Sequence, residues 1–235
     1  MPKGKLYIVP IPISEDTLTK VLPDYNAKIV KELRIFVVEK IKTARQFLRK
    51  MDSTFPIDDS VFHEQDKHQD YAFHKDVLNY LNEGKNVGLL SESGYPGIAD
   101  PGTKIVALAH ENNCQVIPLV GPSSIFLALA SSGMNGQGFT FHGYLPKEGN
   151  ERAQKIKDIS AQILKTEFAQ IFIETPYRNE MMMSDLIKNC PQEIMLTIGY
   201  DVTGVEENII TKRISDWKKS PFKFDKLPCV FVLGK

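Results

Sequence analysis

Cysteine is scarce: the 235 residues include three, Cys114, Cys190 and Cys229, an odd set with no close spacing. That excludes a disulfide framework and a thiolate zinc cluster, and it fits a reducing compartment. An excess of one charge is missing too, because 29 basic side chains meet 29 acidic ones. A protein that grips duplex nucleic acid over its whole surface, or a membrane through a polybasic patch, is net cationic, so any nucleic-acid contact here is local. No stretch approaches the roughly 18 uninterrupted apolar residues of a membrane span. Met1-Pro2-Lys3-Gly4-Lys5 runs into a strand-like segment without a secretory leader. The expectation is a soluble, cytoplasmic chain with no membrane partner.

Several chemical signatures are also absent. Gly136-Gln137-Gly138 lacks the third glycine and the acidic partner of a dinucleotide fingerprint, and no Walker-type lysine loop occurs. His63 and His68 are five apart, off the shared helical face that four-residue spacing gives zinc proteases, so no metal is expected. Without a Gly-x-Ser-x-Gly elbow an acyl-enzyme hydrolase has no visible nucleophile.

What remains is a chain that is 42% hydrophobic and 25% charged, long enough to bury roughly 70–75% of its unfolded surface without staples. Short apolar runs alternate with segments of helical period, the order that produces parallel sheets with helical crossovers. Strands are predicted at residues 6–9, 34–38, 86–90 and 115–119. Between them lie a basic amphipathic helix carrying Ala44, Phe47, Leu48 and Met51, and a helix with Tyr71, His74, Leu78 and Leu81 on one face. A further helix carries Ile105, Leu108 and Ala109, with Asp100-Pro101 as N-cap and first-turn proline. Residues 52–70 read as an acidic loop, Asp52, Asp58, Asp59, Glu64, Asp66 and Asp70 facing Lys67, with one short strand near Val61.

Gly121-Pro122-Ser123-Ser124 turns into a helix over 125–131, the candidate domain joint. Beyond it, strands 139–142 and 169–173 flank a charged helix, 149–165, whose inward face is Ile156, Ile159 and Ile163. Helix 178–189 places Met181-Met182-Met183 in its core. Strands 193–198, 208–212 and 229–233 follow in quick succession as antiparallel neighbours. The fold class is therefore α/β, with two domains, 1–118 and 119–235, the first holding a mostly parallel sheet and the second a mixed one.

In open parallel sheets, ligands collect beyond the carboxyl ends of the strands. Three loops qualify: Pro10-Ile11-Pro12-Ile13-Ser14, residues 91–100 and Gly121-Pro122-Ser123-Ser124. Gly94 and Gly97 bracket Pro96, which lets the backbone turn tightly against a flat ligand such as an adenosine. Spacing alone leaves open an ordinary strand-to-helix loop.

The segment SESGYPGIADPG, residues 91–102, resembles the Ser-Asp-Ala-Gly-x-Pro-x-Ile-Ser-Asp-Pro-Gly signature of the tetrapyrrole-methylase-like superfamily of S-adenosylmethionine-dependent methyltransferases. Gly121-Pro122-Ser123-Ser124, the stretch 128–133, Phe139-Thr140-Phe141-His142-Gly143-Tyr144-Leu145-Pro146 and Ile173-Glu174-Thr175-Pro176-Tyr177-Arg178 extend the likeness, and His63-Glu64 aligns with another segment. It is most similar to the ribosomal RNA small-subunit methyltransferase I family. The resemblance implies S-adenosylmethionine in a cleft between the domains, touched by Pro12, Glu92, Gly94, Ile98, Ser123 and Ser124. Pro176, Tyr200 and Pro228 would close over it.

The resemblance also implies an RNA of the small ribosomal subunit as acceptor, methylated on a ribose 2′-hydroxyl, and a homodimer. Candidate proton acceptors for that step are Glu174, Glu15 and His142, although each reads more readily as a surface or core-edge polar residue. For RNA, Lys212 and Arg213 open a basic segment, 211–226, that Lys147, Arg152 and Arg178 extend. Trp217 and Phe222 stand among those charges as stacking candidates, although a solvated edge has the same composition.

The chain departs from the family pattern at Pro12-Ile13-Ser14-Glu15, where Pro-Ile-Gly-Asn is usual, at Val38-Glu39-Lys40-Ile41-Lys42, where an acidic Thr-Arg motif is usual, and at Tyr200-Asp201-Val202-Thr203-Gly204. Donor loops are kept better than acceptor loops. A methylase of a small tetrapyrrole and a non-catalytic relative that binds S-adenosylmethionine are the rival readings.

Overall fold

The structure, a computed structural model, describes residues 2–65 and 73–235; Asp66, Lys67, His68, Asp70 and Tyr71, named above, lie outside the described residues. The chain divides into two compact units, Met1–Ser123 and Ser124–Lys235.

In the first unit, β1 (Lys5–Val9), β2 (Ile35–Val38), β3 (Val61–Glu64), β4 (Val87–Leu90) and β5 (Gln115–Pro118) form a parallel sheet in the order β3-β2-β4-β1-β5. Every residue of β2 and β4 is buried, the condition of central strands covered on both faces. Alternation along them decides which helices each face receives. Phe36, Val38 and Leu90 pack with α2 (Asp24–Glu32) and α3 (Ile41–Met51) through Val30, Leu33, Phe47 and Leu48. Ile35, Val37, Val87 and Leu89 pack with α4 (Phe73–Asn82) and α5 (Thr103–Glu111) through Val77, Leu81, Ile105 and Ala109.

Three details differ from expectation. Residues 18–32, to which the sequence assigns no element, form α1 (Leu18–Val21) and α2; α2 fully buries only Asn26 and Val30, with Ile29 partly buried against the same core. The face of α4 is set by Val77 and Leu81, while His74 and Leu78 are half-buried. Asp100 does not cap α5, which begins at Thr103 behind Gly102. Ala99 at φ 64° and a Gly97 N–H donated to the Pro101 carbonyl at 3.2 Å bend residues 97–101 into a turn of their own.

In the second unit, β6 (Phe139–Tyr144), β7 (Ala169–Glu174), β8 (Met195–Tyr200), β9 (Asn208–Arg213) and β10 (Cys229–Gly234) form a mixed sheet in the order β6-β7-β10-β8-β9. Only β6 and β7 run parallel, joined by α7 (Gly149–Thr166). The final strand enters between β7 and β8, antiparallel to both, so β9 and β10 are not neighbours. One face is covered by α6 (Ser124–Ser132), with Ala128 and Leu129 on Ile171, Val230 and Val232. The other receives Ile156, Ile159 and Ile163 of α7, Met182, Met183 and Leu186 of α8 (Asn179–Asn189), and α9 (Ile214–Lys219). Because α6 belongs to this core while Leu119 bonds to Ile8 of β1 and Val120 to Asn26 of α2, the chain divides after Ser123. No helix among the described residues is long and apolar enough to cross a membrane.

Candidate functional site

All strands of the first sheet point the same way, so the loops after β1, β4 and β5 leave from one rim. Hydrogen bonds join them there. Ile11 donates to the Gly94 carbonyl at 2.8 Å and Gly94 to that of Ile11 at 3.0 Å. Ser93 Oγ donates to the Ile13 carbonyl at 3.4 Å and Tyr95 Oη to that of Leu119 at 2.9 Å. Asn26 of α2, a buried amide unmarked by any sequence pattern, holds the Val120 carbonyl at 2.7 Å. Two glycines make the junction sterically feasible. Gly94 sits at φ 69°, where a side chain is strained, and a Cβ on Gly121 would lie 2.2 Å from the Pro10 ring.

Pro12, Glu92, Gly94, Ile98 and Ser123 therefore stand on loops that meet, and Ser124 opens α6. Glu92 is held from α3: Lys40 hydrogen-bonds one carboxylate oxygen and Thr43 Oγ1 donates to the other at 3.2 Å. The Glu92 contact raises the pKa of Lys40. Lys40 lies in the very segment that departs from the family pattern, which was the available signal for its role. Beside Glu92, a recess of about 470 Å³ opens between the β1 loop, α1 and α3. Pro12 and Glu15 line it, as do Thr43 and Gln46, which the sequence did not single out.

In the second unit, antiparallel register aligns Cys229 with both Glu174 and Tyr200, which brings Pro176, Tyr200 and Pro228 to one end of that sheet. Tyr200 is buried, its hydroxyl accepting the Asp225 N–H at 3.0 Å, and Pro228 is exposed. Glu174 differs from the open base that proton transfer needs. Its side chain is fully buried, Oε1 accepts the Thr175 N–H at 2.7 Å, and Oε2 lies 3.1 Å from Arg178 Nη2 without hydrogen-bond alignment. His142 is half-buried with Nε2 2.8 Å from Gln170 Oε1. The Gln170 amide nitrogen donates to the Phe168 carbonyl at 3.1 Å, which leaves its oxygen to accept and makes Nε2 the protonated nitrogen. Burial lowers the His142 pKa.

The expected RNA contacts fare unequally. Arg152 is 3% exposed and points inward, with Nε on Asp185 at 2.7 Å and Nη1 on the Pro146 and Lys147 carbonyls at 3.0 and 2.6 Å. It is a buried clamp, placed one turn before Ile156 on the inward stripe of α7. Arg178 is mostly enclosed by Glu174 and the Pro146 carbonyl, whereas Lys147 is exposed. Trp217 is 1% exposed and donates Nε1–H to the Leu196 carbonyl at 2.9 Å, so it offers no face to a base. Lys212 lies over its ring at 4.6 Å, Phe222 packs on Tyr200 and Phe224, and Arg213 is exposed.

Residues 5–217 match the family described as Tetrapyrrole (Corrin/Porphyrin) Methylases. Among curated relatives, Ribosomal RNA small subunit methyltransferase I of Synechocystis sp. is 30% identical over 87% of this chain and 69% of its own length. The protein of the same name from Buchnera aphidicola is 28% identical over 98% of this chain and 78% of its own. Among solved structures, the methyltransferase CobJ is similar with TM-score 0.63 and 16% identity, covering 99% of this chain and 94% of that one. Uroporphyrin-III C-methyl transferase from Thermus thermophilus, complexed with S-adenosyl homocysteine, is similar with TM-score 0.58 and 16% identity, covering 99% and 98%.

Proposed function

The chain belongs to the tetrapyrrole methylase family, and from that premise we propose that it transfers a methyl group from S-adenosylmethionine to a ribose 2′-hydroxyl of small-subunit ribosomal RNA. The observation that carries this reading is the junction of three loops at one rim of the parallel sheet. The groups present there suit the donor. Glu92 is a carboxylate for a ribose diol or a cationic sulfur, Ile98 an exposed apolar surface for a flat ring. Ser123 and Ser124, at the start of α6, offer hydroxyls and amides to a carboxylate. Bound S-adenosylmethionine supplies a methyl carbon on a sulfonium; its sulfur–carbon bond breaks as a carbon–oxygen bond forms, leaving a neutral thioether and a hydroxyl proton to be removed.

What the protein adds is alignment, exclusion of water and a proton acceptor. Glu15 is the carboxylate we assign as that acceptor, because it is exposed on the recess beside Pro12, whereas Glu174 is enclosed with Arg178. Lys147 and Arg213, both exposed, remain as cations for the RNA backbone. The names of the curated relatives support the acceptor RNA. A ribosomal substrate and three buried free cysteines support a cytoplasmic location. A homodimer is supported by exposed Phe126 and Leu127 on α6, with Phe126 edge-on to Phe139 at 5.9 Å, a patch that a second copy would cover.

Transfer of label from methyl-tritiated donor, offered small ribosomal subunits, naked small-subunit RNA and uroporphyrinogen side by side, tests the assignment. Alkali-resistant label in RNA is expected. Label confined to the tetrapyrrole would overturn the RNA acceptor, and no transfer to any acceptor would leave a non-catalytic relative.

A further inference from the structure

The turn Gly121-Pro122-Ser123 has few ways to move. Pro122 fixes its own φ at about −65° and restricts the residue before it. Gly121 lies so close to its neighbours that a Cβ there would stand 2.2 Å from the Pro10 ring and 3.4 Å from Leu22. What is left is the orientation of the Val120–Gly121 peptide, from which the turn hangs. β5 is the edge strand of its sheet, and its ladder to β1 ends, among the described residues, with the Leu119 N–H on the Ile8 carbonyl at 3.0 Å. Side chains take over from there. Tyr95 Oη holds the Leu119 carbonyl at 2.9 Å, and Asn26 Nδ2 holds the next one, that of Val120, at 2.7 Å. Val120 turns its own side chain outward, 71% exposed, while Asn26 is 1% exposed.

We propose that Asn26 is a positioning residue: by fixing the Val120 carbonyl it presents the amide and hydroxyl of Ser123 to the carboxylate of the methyl donor, a role that rests on the donor site proposed above. The energetics of its amide favour this over plain support. Asn26 Oδ1 is buried and has no hydrogen-bond partner among the described residues. A buried polar atom left unpaired costs more than one neutral hydrogen bond returns, so the residue is a poor choice for stability and a good one for orientation. An apolar side chain of like size would fill the same space without setting where the carbonyl points. Asn26 also stands in the first turn of α2, one turn beyond Leu22, so one helix end supports both the Val120 carbonyl and the Gly121 backbone.

Calorimetry with two ligands separates positioning from support. S-adenosylhomocysteine carries the amino-acid carboxylate, and 5′-methylthioadenosine keeps the adenosine and the sulfur without it. Both are titrated into wild type, Asn26→Leu and Asn26→Ala, after thermal melts have shown which variants unfold cooperatively. Wild type is expected to bind both, S-adenosylhomocysteine more tightly. In the variants that affinity should fall by about tenfold or more, the loss of one hydrogen bond to a charged group, while 5′-methylthioadenosine binds as it does to wild type. Equal weakening of both ligands, or of neither, would overturn the proposal, as would two variants that no longer fold, because Asn26 would then be a support and nothing more. Wild type that binds S-adenosylhomocysteine no more tightly than the truncated ligand would overturn it with the donor site standing. No binding of either ligand by wild type would remove the donor site itself and the role of Asn26 with it, which keeps the two failures apart.

Discussion

Ile11 and Gly94, 83 residues apart in the chain, exchange both backbone hydrogen bonds, at 2.8 and 3.0 Å. This isolated antiparallel bridge fastens the loop after β1 to the loop after β4 beyond the end of a parallel sheet. It depends on Gly94 at φ 69°. A Cβ there meets only the Pro122 carbonyl at 3.9 Å, so the penalty of Gly94→Val is conformational and not a clash. A loss of about 1–3 kcal/mol in urea unfolding is expected, small enough to leave the protein folded.

Glu15 is the proposed proton acceptor. Glu15→Gln keeps the shape of the recess and removes the basic oxygen. A fall in kcat of about a hundredfold is expected in the methyl-transfer assay, with S-adenosylhomocysteine affinity retained. The same substitution of Glu174 is expected instead to lower stability, because its buried carboxylate faces Arg178 at 3.1 Å.

Arg152 separates structural from RNA-binding cations. Arg152→Met strands Asp185 and the carbonyls of Pro146 and Lys147, and about 2–3 kcal/mol of unfolding free energy should be lost. Affinity for a fluorescein-labelled single-stranded RNA decamer, read by anisotropy at constant salt, should not change. Lys147→Ala should do the reverse.

His63 carries the pH dependence. It is partly buried on β3 with rings of Phe73 and Tyr80 each 5.9 Å away, and its Nε2 has no hydrogen-bond partner among the described residues. Burial lowers its pKa below the ordinary 6.5, with Asp76 opposing weakly. The unfolded chain therefore binds the extra proton at a higher pH than the folded one. Its contribution to stability is complete above about pH 6.5 and is lost as pH falls through the lower, folded value. Burial acts in the same direction on His142 and His74. Thermal melts from pH 8 to 5 should fall on the acid side, and His63→Phe should flatten that slope.

Phe126 and Leu127 are exposed on α6 at 48% and 38%. If a second copy covers them, Phe126→Asp combined with Leu127→Asp should convert a dimer to a monomer in sedimentation equilibrium. A wild-type monomer would remove the homodimer from the account.

How far the fold was legible follows from where its information is stored. β2 and β4 are unbroken apolar runs because both faces are covered, and the loops after β1, β4 and β5 display their glycines and prolines because backbone meets backbone there. The missed helix, α2, is nine residues long and fully buries a single apolar side chain, Val30, with Ile29 partly buried beside it, so its inward face carries few apolar residues to read. The misplaced start of α5 came from giving Asp100-Pro101 a capping role that the turn through Ala99 precludes. Site chemistry was less legible than site position. Arg152 stands one turn before Ile156, Ile159 and Ile163, a placement that marks it as inward, yet its charge suggested the surface. Trp217 follows Ile214 by three residues on the buried side of α9. Glu15, Glu92 and Gln46 converge only because α3 packs beside the β1 loop, and nothing in their spacing records that.

The central claim is that the rim joined by Ile11 and Gly94 holds the methyl donor, and calorimetric titration of wild type and Gly94→Val with S-adenosylhomocysteine tests it most directly. Saturable binding by wild type at micromolar concentrations, lost in the variant while its melting transition stays cooperative, is the predicted result. Equal heats from the two proteins, or no heat from wild type, would contradict it.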